Sequence, residues 1–144
     1  MHGHDPGMND DFSECLVLNA RMAARAVTRE ADRLFRPHGV SAAQFSILVR
    51  LRGQPSLSVT EMAQALAMDR TTLSRNLDLL VRKGLVTEAA VEGPGRCCVL
   101  TETGRAQVAA LVPIWRQAHA ELRQRLADPD FQSVLAGLRE LAKL

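Results

Sequence analysis

The sequence predicts a mainly α-helical fold that contains one small β-hairpin. Apolar residues recur at helical spacing along most of the 144 residues. Aromatic residues make up only 3% of the chain. Leucine, alanine and valine must therefore build the core, which suits helices better than a β-sandwich. A Gly-Pro-Gly sequence at 93–95 lies between two short β-prone runs and predicts the turn of the hairpin.

The composition is that of an ordinary globular domain. Hydrophobic residues make up 47% and charged residues 24%, with a net charge of +2, which excludes a disordered chain, a collagen and a coiled-coil rod. No uncharged apolar run approaches the roughly 18 residues that span a bilayer, and the acidic N-terminus lacks the apolar run of a secretory signal, so we expect neither a membrane span nor a signal peptide. Three cysteines without metal-site spacing favour a reduced, cytoplasmic protein. We expect residues 1–9 to be disordered and 10–144 to form a single domain.

A long amphipathic helix is predicted over 10–36, ending at Pro37-His38-Gly39. Its apolar residues follow a nearly heptad spacing, and its length would be about 40 Å. A helix this long is poorly matched to so small a domain, so part of its stripe is expected to pack on a second copy of the chain. The stripe consists of Phe12, Leu16, Ala20, Ala23, Val27, Ala31 and Leu34.

Two capping boxes predict the starts of two short helices. Ser41 with Gln44, and Ser58 with Glu61, have the spacing at which each side chain satisfies the other residue's backbone N–H. The residues expected inside are Phe45, Leu48, Val49 and Leu51 in the first helix, and Val59, Met62, Ala63 and Leu66 in the second.

A further helix follows a tight turn. Asp69 is its predicted N-cap and Gly84 its terminating glycine. Two strands come next, at 85–87 and 97–100. Helix, turn, helix and hairpin in this order predict a winged helix-turn-helix lobe over 41–101. The helix after the turn directs Leu73, Leu77 and Leu80 inward.

The outward face of that helix has the chemistry of a DNA reader. Arginines and small hydroxyl residues suit base edges and phosphates in a major groove about 12 Å wide. Cations at the far end of the helix suit phosphates, and a cation beside the hairpin tip suits an adjacent minor groove. The candidate DNA-binding residues are Arg70, Thr71, Thr72, Ser74 and Arg75 on the helix, Arg82 and Lys83 at its end, and Arg96 beside the hairpin tip.

Two more helices are predicted over 102–144. Thr101 caps the first, a kink is expected at Pro113, and Asp128-Pro129 predicts the start of the second. The apolar stripes run through Val108, Leu111, Trp115, Ala118, Leu122 and Leu126, and then through Phe131, Val134, Leu135, Leu138 and Leu141. Together with 10–36, the helices of 102–144 are expected to form the dimerisation region.

Residues 58–86, with the sequence SVTEMAQALAMDRTTLSRNLDLLVRKGLV, resemble the core of the MarR family of transcriptional regulators. The sequence LTETG at 100–104 is similar to that family's strand-to-helix junction, and the resemblance extends over about 10–144. It implies a homodimer bound to a pseudo-palindromic operator in double-stranded DNA, with Thr71, Thr72, Ser74 and Arg75 touching the DNA. It further implies a repressor that is released by a small ligand.

The hairpin departs from the family pattern. An Asp-Arg-Arg type sequence is usual before the second strand in this family. Here the segment at 91–97 reads VEGPGRC, so the wing looks shortened and Arg96 is its remaining cation. Glu88 and Glu92 add negative charge nearby.

Other residues leave alternatives open. Trp115 is either part of the core or the lining of a pocket for a small aromatic ligand. Cys15 is either a buried apolar residue or a peroxide sensor; acids crowd it and the chain has no tyrosine to assist it. The alternative functions are a winged-helix module that binds protein instead of DNA, and a thiol-based redox regulator that works through Cys15. We expect no catalysis, no cofactor, no metal and no membrane partner.

Overall fold

The computed structural model describes residues 11–53, 57–90, 93 and 95–144. The described chain divides into two compact units, the first ending at Ala42 and the second beginning at Ala43. The disorder predicted for 1–9 lies outside the described residues, as does Pro94 of the predicted hairpin tip. The elements are α1 (Leu16–Phe35), α2 (Ala42–Gly53), α3 (Val59–Ala65), α4 (Arg70–Arg82), β1 (Val86–Glu88), β2 (Cys98–Leu100), α5 (Glu102–Arg125) and α6 (Phe131–Leu141).

The first helix is shorter than predicted. A separate 3₁₀ turn covers Phe12–Glu14, and Cys15 has an extended backbone, so α1 begins only at Leu16. The cause is local, because the Asp11 carboxylate accepts a hydrogen bond from the Ser13 N–H at 3.0 Å and caps the 3₁₀ turn by itself. The predicted helix over 10–36 is therefore wrong in its first turns, and Phe12 is not part of the α1 stripe.

The apolar stripe of α1 lies at the surface of the chain. Phe35, in the last turn, is the one buried residue of α1. Within the stripe, Leu16 is 65% and Val27 63% exposed, and outside it Val17 and Met22 are exposed to a similar extent. The helix therefore presents an uncovered apolar face over most of its length.

The second unit has its core in α2, α3, α4, the hairpin and the first half of α5, and α6 adds one buried residue, Phe131. On α2 the buried positions Gln44, Ile47, Leu48 and Leu51 follow helical spacing. Val49, predicted to be inside, is 41% exposed because it falls outside that spacing. The other core residues of this unit are Val59, Met62, Ala63, Leu73, Leu77, Leu80, Leu85, Val86, Cys98, Leu100, Val108, Leu111 and Phe131.

The hairpin is anchored at both ends of its second strand. β1 and β2 pair antiparallel, with Val86 opposite Leu100. The Val59 N–H donates to the Arg96 carbonyl at 2.9 Å, which ties the start of α3 to the segment before β2. At the other end a Cβ on Gly104 would lie 1.9 Å from the Leu85 carbonyl oxygen, so only glycine allows α5 to start so close to the hairpin. Six helices and a small hairpin in the described residues confirm the predicted fold class.

The last two helices differ in detail from the prediction. Thr101 caps α5 as expected, and Pro113 lies inside this helix. The N-cap of α6 is Asp130, whose carboxylate accepts a hydrogen bond from the Ser133 N–H at 2.8 Å. The predicted start at Asp128-Pro129 is wrong by two residues, because the second aspartate competes successfully for the cap. Of the α6 stripe, Leu138 is 53% and Leu141 39% exposed.

Candidate nucleic-acid interface

The helix-turn-helix is fixed by side-chain caps at both helix starts. Ser58 and Glu61 form the predicted capping box, each accepting the other's backbone N–H at 3.1 Å. Asp69 caps α4, accepting from the Thr72 N–H and from the Thr72 hydroxyl, both at 2.7 Å. These hydrogen bonds hold the pKa of Asp69 below its ordinary value. The start of α4, where the predicted base contacts lie, is therefore a firmly defined helix end.

The inward face of α4 packs as predicted. Leu73, Leu77 and Leu80 are fully buried, with 0% of their surface exposed. The chain leaves the helix through Gly84, which has a φ of 74°, a left-handed conformation that suits glycine. The orientation of the opposite face follows from these buried leucines.

The outward face brings together four of the predicted DNA contacts. Arg70, Thr71 and Arg75 are exposed, and Ser74 is half-buried between them. They line one open depression together with Asp78. Among the described residues, neither Arg70 nor Arg75 forms an ion pair with an acid. Both guanidinium groups are therefore available to an anionic partner.

Three other predicted contacts lie around this face, two of them with partners within the second unit. The Thr72 hydroxyl donates its proton to Asp69, so towards DNA it could act only as a hydrogen-bond acceptor. The Lys83 ammonium donates to the buried Gln44 side chain at 3.2 Å. Arg82 is exposed at the C-terminal end of α4. Of these three residues, Arg82 alone resembles Arg70 and Arg75 in being exposed and forming no ion pair among the described residues.

Arg96 is bound to two carboxylates. Its Nη2 lies 2.9 Å from Asp78 Oδ1 on α4, and its Nε lies 2.8 Å from Glu88 Oε1 on β1. Only 26% of its side chain is exposed. Arg96 thus links α4 to the hairpin, and a phosphate could reach it only in competition with two acids. The sequence showed the nearby acids but not which of them would pair.

A polar network behind α4 escaped sequence reasoning. Gln44 is only 6% exposed, and its Nε2 donates to Asn76 Oδ1 at 3.4 Å. Asn76 in turn donates to the Thr72 carbonyl at 3.0 Å. Gln44 thereby connects α2 to the middle of α4 through Asn76, and to the C-terminal end of α4 through Lys83. The one sequence signal for the burial of Gln44 was its helical spacing from the apolar residues Ile47 and Leu48.

Trp115 belongs to a stack of rings between α5 and α6. Its ring centroid lies 4.4 Å from that of His119, and His119 meets the edge of Phe131 at 5.9 Å. The Arg123 guanidinium lies 4.3 Å above the Phe131 ring. Trp115 itself is 40% exposed. It is therefore a surface-facing end of the stack and not a buried core residue.

The cysteines occupy separate environments. Cys15 is half-buried at the N-cap of α1 and makes no side-chain capping bond. Cys97 is half-buried, whereas Cys98 is buried, and burial raises the pKa of the Cys98 thiol. Within the described part of the chain, no group of three or more His, Cys, Asp or Glu residues could hold a metal ion. The described helices also include none that is long and apolar enough to cross a membrane.

Comparison with known proteins agrees with this geometry. The MarR family model matches residues 38–96, which include α3, α4 and β1. The crystal structure of the transcriptional regulator MosR from M. tuberculosis superposes on this chain with a TM-score of 0.81. The two sequences are 35% identical, and the match covers 92% of this chain and 96% of MosR. The same regulator in complex with DNA is 32% identical, with a TM-score of 0.80, over 90% of this chain and 95% of the other.

Two further relatives extend the comparison. A point mutant of MarR from E. coli in complex with operator DNA is 26% identical, with a TM-score of 0.78, over 92% of this chain and 99% of that one. The HTH-type transcriptional regulator PecS from Dickeya dadantii is 29% identical over 120 residues, which cover 80% of this chain and 70% of PecS. The fold, the helix-turn-helix and these relatives together show that the chain belongs to the MarR family of transcriptional regulators.

Proposed function

We propose that this regulator is a homodimeric repressor that binds a pseudo-palindromic operator through α4 and leaves it when a small aromatic ligand binds. The observation that carries the proposal is the outward face of α4. Arg70 and Arg75 are exposed there and form no ion pair among the described residues, on a helix that is capped at its start and packed through three buried leucines. A cytoplasmic location is part of the same proposal.

The arginines of this face supply the recognition chemistry. A guanidinium presents a planar pair of donors that matches guanine O6 and N7 in the major groove, or two phosphate oxygens. Thr71 and Ser74 lie between the arginines and offer hydroxyls to bases or phosphates. Arg82, exposed at the far end of α4, suits a phosphate. Arg96 contributes by holding the hairpin to α4 through Asp78.

The exposed apolar faces of α1 and α6 support the homodimer. Val27 on α1 is 63% and Leu138 on α6 is 53% exposed, which is costly in water unless a partner covers them. A two-fold dimer carries two copies of α4, and such dimers read half-sites whose centres are about 34 Å apart. A pseudo-palindromic operator follows from that symmetry.

The experiment that tests DNA recognition is selection of bound sequences from random duplex DNA with the purified protein. The proposal predicts enrichment of a pseudo-palindrome whose half-sites are one helical turn apart, and binding that weakens steeply with salt. Recovery of unenriched sequences, with no salt-dependent binding, would support the alternative of a protein-interaction module and reject this function.

The repressor role is tested with a template that carries the selected site over a promoter. Adding the protein should lower transcription of this template and leave a template with a scrambled site unchanged. Increased transcription from the first template would identify an activator instead.

Ligand release is tested through Trp115, the one tryptophan of the chain. An aromatic ligand beside Trp115 should quench its fluorescence and dissociate the operator at the same concentration. Benzoate and salicylate are suitable first probes. Quenching without dissociation, or dissociation that persists in Trp115→Ala, would contradict a ligand site at this residue.

The thiol alternative is tested with cumene hydroperoxide. We expect operator binding to survive mild treatment, because Cys15 makes no side-chain capping bond at the start of α1 and the chain has no tyrosine to donate to a thiolate. Loss of binding in the wild type but not in Cys15→Ser would make Cys15 a sensor.

A further inference from the structure

The arginines of α1 form a row on one side of the helix. Arg21, Arg25, Arg29 and Arg33 follow one another at intervals of four residues, and all are exposed. Each four-residue step advances about 6 Å along the helix and turns about 40° around it, so the row covers about 18 Å. The stripe through Ala23 and Val27 lies on the other side of the helix. This arrangement is independent of the α4 surface described above.

Part of the row is not neutralised within the described chain. Arg33 pairs with Glu30, its Nε donating to Oε2 at 3.1 Å, and Arg36 lies 3.8 Å from the Asp32 carboxylate. Among the described residues, no acid forms an ion pair with Arg21, Arg25 or Arg29. Like charges four residues apart on a helix repel one another and destabilise it. A bound polyanion would convert that repulsion into attraction.

We propose that Arg21, Arg25 and Arg29, the arginine row, bind the phosphate backbone of duplex DNA without reading its sequence, in addition to the contact made by α4. This inference rests on the proposed function, which already brings DNA to the protein. DNA is a continuous line of charge, with one phosphate per about 1.7 Å of helix axis. A row of guanidinium groups that winds gradually around the helix can therefore engage it in many registers, each group binding a phosphate through two donors.

The chemistry of α1 disfavours an anionic membrane as the partner. Interfacial helices insert large apolar residues, commonly tryptophan, phenylalanine and leucine, into the lipid. The one aromatic residue of α1 is Phe35, which is buried. Helix α1 therefore offers no exposed aromatic side chain for insertion into lipid. The exposed apolar residues of α1, such as Leu16 and Val27, are aliphatic and lie on the side of the helix away from the arginines, where we propose that a second copy of the chain covers them.

The test is the salt dependence of binding to a random-sequence duplex, measured by fluorescence anisotropy. In the variant R21A/R25A/R29A the slope of log K against log salt should become shallower by about 2 to 3 per chain, because each phosphate contact contributes about 0.9. The variant R21K/R25K/R29K should keep the wild-type slope, since lysine neutralises phosphate equally. Alanine favours helix, so α1 should stay folded, which circular dichroism checks.

A matched control removes the same charge elsewhere. Arg116 and Arg125 on α5 and Arg139 on α6 are exposed, and none forms an ion pair within the described residues. The variant R116A/R125A/R139A should change the slope by less than about 0.9, the contribution of a single phosphate contact. Equal slope changes in the two alanine variants would overturn the inference, because net charge alone would then explain the effect.

The remaining outcomes separate this inference from the proposed function. If wild type and R21A/R25A/R29A have equal slopes while the wild type still selects an operator, the inference fails and the proposed function stands. If the wild type binds no duplex, the proposed function fails as well. A change in sedimenting mass of R21A/R25A/R29A, or row-dependent binding to phosphatidylserine vesicles without a change in the DNA slope, would assign the row to a subunit contact or a membrane and overturn the inference.

Discussion

Helices α1 and α4 carry similar amphipathic patterns but bury them differently. In α4 the leucines at 73, 77 and 80 are completely covered by the second unit. In α1 the apolar residues Leu16 and Val27 remain 65% and 63% exposed. The same sequence signal therefore specifies packing within the chain in one helix and, we propose, packing between two chains in the other. The pattern indicates that an apolar face must be covered, but it does not indicate whether the same chain or a second chain covers it.

The largest effect is expected from truncating the covered face. Leu77→Ala should lower the free energy of unfolding by about 2–5 kcal/mol, because the cavity lies in a core that cannot fully collapse. Urea denaturation measures the loss. Val81→Ala on the same helix is the control, since Val81 is 36% exposed and should cost far less. Equal losses would mean that α4 is not packed as the structure shows.

The uncovered face should respond as an interface. Val27→Asp puts a charge where the dimer needs an apolar contact, and we expect dimer affinity to fall about 100-fold, or about 2.7 kcal/mol. Sedimentation across a concentration series measures the dissociation constant. Thr28→Asp, one residue away on a different side of α1, should leave the dimer intact. A Val27→Asp protein that still sediments like the wild type would place the interface elsewhere.

The unpaired and paired arginines of the second unit should differ in DNA binding. Arg75→Ala should cost about 1–3 kcal/mol of operator affinity per half-site if Arg75 reads a base. Arg96→Ala should cost less, because Arg96 is already bound to Asp78 and Glu88. Its loss should instead lower stability by no more than about 1 kcal/mol, the usual range for partly exposed pairs. A larger affinity loss in Arg96→Ala than in Arg75→Ala would make the hairpin the principal contact.

The smallest effect is a pH dependence at the start of α4. Hydrogen bonds from Thr72 lower the pKa of Asp69 in the folded chain, so its capping contribution is complete above the unfolded pKa, about 3.9. The contribution is lost as the pH falls through the lower folded value. Asp69→Asn keeps a capping side chain without a titrating group, and its stability should fall less steeply between about pH 4 and pH 2. Parallel stability curves for the two proteins would show that the cap does not contribute.

The sequence could predict α4 almost completely because its determinants are local. A capping aspartate, leucines at helical spacing and a terminal glycine lie within sixteen residues, from Asp69 to Gly84. The outward position of Arg75 follows from the inward position of Leu77 by geometry alone. A helix is most predictable when one short segment contains the residues that set its start, its buried face and its end.

The sequence could not predict what depends on partners from distant segments. Arg96 finds Asp78 eighteen positions earlier, and Gln44 finds Asn76 thirty-two positions later. The wrong starts of α1 and α6 arose where two nearby groups competed for one role, as Asp128 and Asp130 did for a cap. In each case the outcome depends on small free-energy differences in three dimensions that spacing does not report.

The most direct test of the account is to repeat the selection from random duplex DNA with Arg75→Ala. We predict the same half-site spacing as for the wild type, with preference lost at one base position in each half-site. That result would place Arg75 on a base edge while the dimer sets the spacing. An unchanged base preference at every position would contradict the claim that the outward face of α4 reads the operator.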